Sequence, residues 1–415
     1  MIKKVLFSIC MLLSLVSNAQ EGTASPYSFF GIGDVRFKGT VENRSMAGLS
    51  IFRDSIHMNL QNPALNSGLK YTTFTIGGTF AATNLKNSSQ ESKAQRTTLD
   101  YLAFALPAKK AVFTFGLMPY SSVGYSIRNI NAANTNVNQY QGKGGINKAF
   151  VGFGYKVSKG LSIGADFQYN FGEISTTSIE AIQGIQFSSR EKNVSTVNGV
   201  NFNTGIAYQS KINKSVSLFS SLSFSPETKL SLSNERVFAT IQYSALGVEA
   251  VVEELAPINQ DSKLTLPSKF TAGIGFGNLK KWVIGTELTF QDNSNFTNRF
   301  NDINNVKFEN ATKFTLGGYY VPNYNSYNKY LNRVTYRGGF RYEKTGLVVN
   351  NESINDSALT LGLGMPLRGT FSNINIGVEM GSRGTIKSGL VKENYTNINI
   401  SLSLNDQWFQ KRKYD

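Results

Sequence analysis

Short segments of alternating apolar and polar residues make up the chain from Tyr71 onward. The last of them, YTNINISLSLN, is the clearest. Its apolar positions are Ile398, Ile400, Leu402 and Leu404, and its polar positions are Asn397, Asn399, Ser401 and Ser403. A strict period of two is typical of a β-strand, in which successive side chains point to opposite faces. One face of each strand therefore suits hydrocarbon and the other suits water.

The connections between these segments alternate in length. Tight joins follow the second, fourth, sixth and eighth predicted strands, with the sequences PAKK, SKG, KINK and NLKK. Long joins rich in Asn, Ser and Lys follow the odd-numbered strands, at 82–96, 124–145, 173–195, 227–267, 292–310, 345–355 and 383–393. Short turns alternating with long loops are typical of bacterial outer-membrane barrels. The sequence thus predicts an all-β fold, a transmembrane antiparallel β-barrel of about 14 strands.

A soluble β-sandwich would also alternate, so the period of two leaves both architectures open. The loop lengths favour the barrel. Such a barrel must be closed, because hydrocarbon offers no hydrogen-bond partners and every backbone N–H and C=O has to be paired within the protein. Aromatic residues near predicted strand ends, as in GGYYVP and DQWF, suit the aromatic girdles found at the two membrane interfaces.

The N-terminus predicts export. Lys3 and Lys4 precede an apolar stretch at 5–16, and Ser17-Asn18-Ala19 is a small-residue cleavage site, as in a secretory signal peptide. We therefore predict a signal peptide at 1–19. The only cysteine, Cys10, falls inside it, so the mature chain has no thiol. No later apolar run approaches the roughly 20 residues of a spanning helix.

The charge balance is basic. Without Lys3 and Lys4, 40 basic residues face 27 acidic ones, a net charge of +13. The basic residues are dispersed, and an exported chain seldom meets nucleic acid, so we expect no nucleic-acid partner. The anionic surface of outer-membrane lipid and lipopolysaccharide is the expected partner of this charge.

No constellation of catalytic residues is visible. The only histidine, His57, stands beside Asp54 and Ser55, but a catalytic triad needs residues brought together from separate segments. Without Cys, and with one His, the mature chain leaves only carboxylates for a metal site. We predict no enzyme, no catalytic residue, no metal site and no cofactor.

Charged residues occupy the polar faces of several predicted strands. They are Asp166, Glu287, Arg333, Arg337, Arg341 and Glu379. An Arg or Lys facing lipid at mid-depth would cost about 2–4 kcal/mol, so we expect all six to face the lumen. Two interpretations stay open: the charges pair across the interior, or the arginines of RVTYRGGFRYE form a ladder along which an anionic head group could pass.

Several stretches resemble a known family. They are RSMAGLSIFRDSIHMNLQNPALNSGL, LPSKFTAGIGFGNLKKWVIGTELTF and YLNRVTYRGGFRY. Together with the strand pattern, from Pro26 to Trp408, they resemble the FadL-type outer-membrane transporters of hydrophobic compounds. The stretch SPYSFFGIGD is similar to the Bacteroidota branch of that superfamily, which has PorV-like relatives. The resemblance implies a hatch at 20–69, a barrel at 70–404 and a basic tail at 405–415.

The resemblance also implies two local features. Asn62, Pro63, Ala64 and Leu65 would belong to the hatch, where Asn62-Pro63 supplies a rigid turn. In such transporters the third strand is kinked and opens a lateral window; the matching strand here is AVFTFGLMPYSSVGY. Gly116 and Pro119 would weaken its pairing. A surface turn at Asn62 and a proline near an ordinary strand end are the alternatives.

Two functions follow from the resemblance. The first is a bacterial outer-membrane channel for hydrophobic small molecules, either long-chain fatty acids or aromatic compounds, which pass a hatch by diffusion and leave sideways into the bilayer. The alternative is a non-transporting accessory subunit that joins other outer-membrane proteins in a secretion or barrel-assembly complex. A phospholipid-cleaving barrel is disfavoured, because the only histidine lies in the implied hatch.

Overall fold

The computed structural model describes residues 22–130, 135–244, 246–296, 305–326 and 328–408. The predicted signal peptide, 1–19, and residues 409–415 of the predicted tail lie outside this part of the chain. Helices are few and short among the described residues, and none is long and apolar enough to cross a membrane.

The described part of the hatch, which begins at Gly22, has little regular structure. It contains 3-10 helices at Pro26–Phe29 and Pro63–Gly68, the two-residue strand β1 (Asp34–Val35) and one α-helical turn, α1 (Val41–Arg44). Side chains cap the 3-10 helices: the Asn62 Oδ1 atom accepts a hydrogen bond of 3.0 Å from the backbone N–H of Ala64. Such caps satisfy the free N–H groups at a helix start.

Eighteen strand segments follow the hatch. In chain order they are β2 (Thr72–Lys86), β3 (Glu91–Ala108), β4 (Ala111–Ile130), β5 (Asn136–Lys156), β6 (Leu161–Ile182), β7 (Ser188–Lys211), β8 (Ser217–Ser225), β9 (Thr228–Tyr243), β10 (Glu249–Glu254), β11 (Ile258–Leu266), β12 (Ser268–Asn278), β13 (Trp282–Asp292), β14 (Val306–Phe308), β15 (Ala311–Tyr320), β16 (Thr335–Val349), β17 (Glu352–Pro366), β18 (Asn373–Arg383) and β19 (Lys392–Asp406). Further 3-10 helices lie at Tyr330–Arg333 and Lys387–Gly389.

These segments form a closed barrel of fourteen antiparallel strands. β8 and β9 make one wall strand interrupted at Pro226, β10 to β12 make another with Pro267 between β11 and β12, and β14 and β15 share a third. Proline has no N–H to give to the ladder, which explains the two proline interruptions. β19 pairs with β2 from Lys392 opposite Lys86 to Asp406 opposite Thr72, which closes the wall. The predicted all-β barrel and its strand number are confirmed.

The wall has apolar side chains outside and polar side chains inside. In β17, Leu359 and Leu361 are each 64% exposed, whereas Thr360 between them is 2% exposed. In β19, Ile400 is 54% exposed and Ser401 is 2% exposed. The pattern is the reverse of that in a soluble protein and is expected where the surroundings are hydrocarbon.

Five of the long joins predicted as loops, 82–96, 124–145, 173–195, 227–267 and 345–355, are instead largely strand. β5, β6 and β7 have 21, 22 and 24 residues, more than a bilayer requires. In these extensions the alternation reverses: Leu230 is fully buried inside, and its neighbour Ser231 is exposed. The reason is that water replaces lipid outside the extended wall, so the inner face becomes the apolar one.

We predict that Leu361→Arg destabilises the barrel by about 2–4 kcal/mol, because the guanidinium would face hydrocarbon near mid-depth. The measurement is urea unfolding from lipid vesicles, followed by circular dichroism. Thr196→Arg is the matched control, because Thr196 is an exposed residue of a strand extension; its effect should stay within about 0.5 kcal/mol. Equal losses for the two variants would contradict a lipid-facing belt at Leu361.

Candidate functional site

Residues 22–69, the described part of the predicted hatch, pack against the inner face of the barrel wall. Its apolar side chains are buried: Leu49 and Leu65 are 0% and 1% exposed, and Ile51 is 1% exposed. Leu49 and Ile51 pack in one cluster with Phe219 of β8 and Val283 of β13, on the inner face of the wall. The bore is therefore closed by direct packing of the hatch against the wall.

Asn62, Pro63 and Ala64 rest on glycines of the wall. A Cβ atom added at Gly164 of β6 would overlap the backbone of Pro63 and Ala64, and one at Gly205 of β7 would overlap the Asn62 side chain. The Asn62 Nδ2 atom also donates to the backbone oxygen of Leu222, at 3.0 Å. These predicted hatch residues are therefore fitted to β6, β7 and β8, and a larger wall residue would displace them.

Other hatch residues meet wall glycines in the same way. A Cβ atom at Gly339 would lie 2.6 Å from the carbonyl carbon of Met46, and one at Gly273 would lie 2.5 Å from Ile51. The wall glycines that the hatch approaches are Gly154, Gly164, Gly205, Gly273, Gly275, Gly285, Gly317, Gly339, Gly362 and Gly377. They belong to β5–β7, β12, β13 and β15–β18, so the hatch is seated around most of the circumference.

A network of ion pairs joins the hatch to the wall. The Arg44 Nε atom, at the end of α1, lies 2.7 Å from an oxygen of Glu379 in β18, and Arg44 Nη1 lies 3.5 Å from Asp100 in β3. Glu379 also pairs with Arg341 of β16 at 2.6 Å, and Arg341 pairs with Asp356 of β17 at 2.7 Å. Because these groups are largely buried, each ion needs its partner.

Two further contacts add to this network. Arg383 of β18 pairs with Asp34 of β1 at 2.7 Å. The Asn375 Nδ2 atom donates to Glu42 of the hatch at 2.7 Å, and its Oδ1 atom accepts from Arg337 at 3.0 Å. Arg337, Arg341 and Glu379 therefore meet hatch residues or their partners inside the bore.

Of the three remaining predicted lumen charges, two are buried and accept hydrogen bonds. Asp166 is 8% exposed and accepts a hydrogen bond of 3.0 Å from Asn203, and Glu287 is 1% exposed and accepts one of 3.0 Å from the Ser50 backbone N–H. The third, Arg333, does not lie on a strand of the barrel. It lies in the 3-10 helix before β16, with its guanidinium over the Tyr330 ring, because β16 begins only at Thr335. The predicted arginine ladder therefore lacks its first member.

A cavity of about 360 Å³ remains beside the hatch. Many of its lining residues are charged: Asp34, Arg36, Lys38, Arg44, Arg96, Asp100, Lys269, Lys313, Arg341, Glu343, Asp356, Arg383 and Glu393. An apolar molecule entering here would take water from charged groups and give them no hydrogen bond in return. The lining suits a polar or ionic occupant.

The pairing of β3 with β4 stops half-way up the wall. It runs from Ala108 opposite Ala111 to Leu102 opposite Leu117 and ends there, one residue after Gly116. β4 stays paired with β5 as far as Ile130, with a register shift between Pro119 and Ser121. Gly116 and Pro119 thus flank the point where β4 leaves β3. A lateral window here stays a prediction.

Strand β1 of the hatch occupies the free edge of β4. Asp34 pairs with Ser122 and Val35 with Ser121, and the Arg36 N–H donates to the Tyr120 backbone oxygen at 3.0 Å. The hatch therefore supplies hydrogen bonds that β3 does not give to β4, and it covers the seam from the inside.

His57 and Asp54 form a local pair within the hatch. Their Nδ1 and Oδ2 atoms are 2.8 Å apart. Burial alone would raise the pKa of Asp54, but the charge and hydrogen bond of His57 outweigh it, and the pKa falls to about 2. In the described part of the chain, no group of three or more His, Cys, Asp or Glu side chains could hold a metal ion.

Sequence comparison identifies the family. A sequence model of the family described as BamG matches residues 1–415. The chain belongs to the BamG family. No curated protein sequence matches it.

Solved structures similar to this BamG chain have the FadL-type fold. The Pseudomonas putida toluene transporter TodX has a TM-score of 0.62 at 16% identity, covering 90% of this chain and 100% of TodX. The Ralstonia pickettii toluene transporter TbuX has a TM-score of 0.60 at 13% identity, covering 89% and 99%. A Pseudomonas aeruginosa FadL homologue has a TM-score of 0.59 at 11% identity, covering 89% and 98%. The fold resemblance is confirmed, whereas the Bacteroidota branch stays a prediction.

Sequence reasoning missed the groups that hold the hatch of this BamG chain. Arg44 and Asp100 were not singled out, although a charge in a short turn and a charge within an alternating strand were both visible. The wall glycines that contact the hatch were also missed. Glycine at an inward-facing position of a strand is the signal that could have found them, since it marks close approach of another backbone.

We predict that Gly164→Val loosens the hatch and destabilises the protein by about 1–3 kcal/mol, because the new side chain would overlap the Pro63 and Ala64 backbone. Urea unfolding gives the free energy, and limited proteolysis reports cleavage within the hatch. Gly338→Val is the matched control, because its Cβ would have no neighbour closer than 3.7 Å. Faster cleavage in the control than in Gly164→Val would argue against the seat.

We predict that Arg44→Met destabilises the protein by about 3–5 kcal/mol, because it removes one partner of a buried network and leaves Glu379 and Asp100 under-compensated. Arg190→Met is the matched control. Arg190 also pairs with two carboxylates, Glu249 and Glu254, but these are exposed, and such pairs contribute about 0–1 kcal/mol. The measurement is the free energy of unfolding of both variants. A loss of stability in Arg44→Met no larger than that in Arg190→Met would contradict a stabilising role of the buried network.

Proposed function

We propose that this protein is a bacterial outer-membrane barrel whose lumen stays plugged, and that it acts as a non-transporting subunit of an outer-membrane protein assembly or secretion complex. The observation that supports this proposal most is that the hatch packs on glycines around the bore and is joined to the wall by buried ion pairs. The apolar outer belt and the FadL-type fold support the outer membrane as its location. The family name BamG is consistent with the assembly branch of the proposal.

A fixed hatch is hard to reconcile with passive diffusion. Opening the bore would break the pairs of Arg44 and Arg383 with wall residues and empty the glycine seats at the same time. Leaving one buried charge without its partner costs about 3–5 kcal/mol. A diffusing molecule supplies such energy only through its own contacts, and the charged cavity offers few to an apolar one.

A subunit needs a surface for its partners, and the tip of the longest wall extension provides one. Residues 246–258 follow β9 and carry exposed apolar side chains at six positions. They are Leu246 (91% exposed), Val248 (62%), Val251 (50%), Val252 (52%), Leu255 (57%) and Ile258 (54%). Exposed clusters of this kind mark protein interaction sites.

The tip stands too far from the bilayer for lipid to cover it. The lipid-facing side chains of this wall strand end at Phe224 in β8, and β9 continues for 16 residues, roughly 50 Å along the strand. Of the three glutamates nearby, Glu249 and Glu254 already pair with Arg190, so the partner that fits is mainly an apolar protein surface.

The test is purification of the tagged full-length protein from native membranes in mild detergent, with mass spectrometry of what accompanies it. We expect a larger particle that contains other outer-membrane proteins. Leu246→Ser with Val248→Ser should lose most of these partners while the barrel still folds. The control pair, Ile130→Ser with Ile386→Ser, changes exposed apolar residues elsewhere and should retain them. A wild-type protein that elutes as a single barrel would contradict the proposal.

A second candidate is a channel for hydrophobic small molecules such as fatty acids or aromatic compounds, with a lateral exit. The seam between β3 and β4 above Leu102 favours it, because there β4 pairs with the two-residue strand β1 of the hatch instead of with β3. TodX and TbuX, which have the same fold, are toluene transporters.

Uptake of labelled toluene and fatty acid into vesicles separates the two candidates. A channel gives protein-dependent uptake that changes when Asn62 and Leu65 are both replaced by alanine. A plugged subunit gives the same uptake as vesicles without protein.

A further inference from the structure

Four lysines come together inside the barrel. Lys38 belongs to the hatch, Lys148 to β5, Lys269 to β12 and Lys313 to β15. Lys38, Lys269 and Lys313 line the cavity of about 360 Å³, and Lys38, Lys148 and Lys269 line a neighbouring pocket of about 30 Å³. Because Lys38 and Lys269 line both spaces, the two are adjacent.

These lysines differ from the arginines of the same bore. Arg44, Arg341 and Arg383 each lie within 3 Å of a carboxylate. Among the described residues, none of the four lysines has a carboxylate within 4.0 Å. The Lys38 ammonium instead stands 3.7 Å from the centroid of the Tyr120 ring. Like Arg337, which bonds to Asn375, the four lysines are therefore lumen cations without a carboxylate partner among the described residues.

Two carboxylates, Asp166 and Glu287, act on the group electrostatically, and both have other partners. Asp166 accepts hydrogen bonds from Gln168 and Asn203, and Glu287 accepts one from the Ser50 backbone N–H. Burial, together with the charges of Lys269, Lys148 and Lys313, holds the pKa of Lys38 well below its usual range. The lysines of the group thus repel one another.

The smaller pocket is lined almost wholly by groups that can donate hydrogen bonds. Besides its three lysines it has the side chains of Gln61, Tyr120, Gln168, Asn201, Asn203, Ser225 and Gln291. No described Asp or Glu lines it. Like charges held together in a low dielectric repel one another, and an anion between them would turn that repulsion into attraction.

We propose that this pocket binds a phosphate group, held by Lys38 of the hatch and by Lys148 and Lys269 of the wall, with the neighbouring amide groups as further donors. Lysine binds phosphate as a point charge and needs no fixed approach direction, which suits ammonium groups that arrive from three separate elements. Since the pocket opens beside the larger cavity, the phosphate can be a free ion or the head group of a lipid. The proposal does not depend on whether the barrel transports anything.

Such a phosphate would join the hatch to β5 and β12. The ion pairs of Arg44 and Arg383 join the hatch to other strands, β3 and β18. It would therefore stabilise the hatch inside the bore as well as neutralise the lysines. A ligand that binds only the folded state stabilises it by RT ln(1 + [L]/Kd), so the unfolding midpoint rises with ligand concentration, which gives a direct readout.

The experiment uses the full-length folded protein in a neutral detergent at constant ionic strength. Inorganic phosphate and monododecyl phosphate are titrated separately, with chloride as the ionic control, and the thermal unfolding midpoint and calorimetric heat are recorded. We expect phosphate to give a saturable binding heat and to raise the unfolding midpoint beyond the effect of chloride. Stabilisation by both probes means that the free ion suffices, and stabilisation by monododecyl phosphate alone identifies a lipid head group.

Variants locate the site. Lys148→Met and Lys269→Met should each weaken phosphate binding at least tenfold. Lys143→Met is the matched control, because Lys143 is an exposed residue of the same strand as Lys148, and its affinity should equal that of the wild type. If a wall variant does not fold, Lys38→Met in the hatch replaces it. No stabilisation beyond chloride, or equal losses at Lys143 and Lys148, would overturn the proposal.

Discussion

The structure depends on one constraint: hydrocarbon cannot hydrogen-bond to a backbone. A sheet satisfies that constraint only without edges, and here β19 returns to β2 along fifteen paired residues to remove them. The same closure gives every strand an inner face that lipid never reaches. Threonine, serine and asparagine fill that face, as in Thr75, Ser401 and Asn375, each nearly or fully buried. A bore so lined has to be filled by water or by protein.

Here the hatch fills it, and the chemistry of the contact differs around the circumference. Glycines let the hatch backbone approach the wall, ion pairs of Arg44 and Arg383 join it to β3 and β18, and β1 completes part of the β4 edge. Each kind of contact provides something that the wall lacks. The hatch backbone packs where the glycines have no side chain, the arginines pair with wall carboxylates, and β1 pairs with the edge that β3 leaves free. Hatch and wall are therefore parts of one packed unit.

The comparison with TodX and TbuX separates fold from function. A likeness at 16% and 13% identity shows the fold alone, so the function has to be argued from the residues of this chain. The features of this chain that bear on its function are the charged interior around its hatch and the apolar tip beyond β9. Those features, and not the barrel as such, carry the proposed role as a subunit.

The sequence by itself determined the wall. Strict alternation, as in Ile398, Asn399 and Ile400, is local, so it could assign a side to each residue and, with the join lengths, predict a barrel of fourteen strands. It could not assign the long joins, because beyond the bilayer water surrounds the wall and the inner face becomes the apolar one, as at Leu230. The prediction that Arg333 lies on the polar face of a strand was wrong for a related reason, because a period of two does not reveal where a strand begins.

Only the tertiary structure decided what meets across the bore. Arg44 and Glu379 are 335 residues apart, and Asn62 lies against Gly205 only when β6 and β7 hold their register. Such contacts depend on closure, register and the path of the hatch at once, and none of these is written in a local pattern. Within the lipid-spanning belt the sequence therefore predicts which side chains face inward, whereas the fold decides which of them become partners.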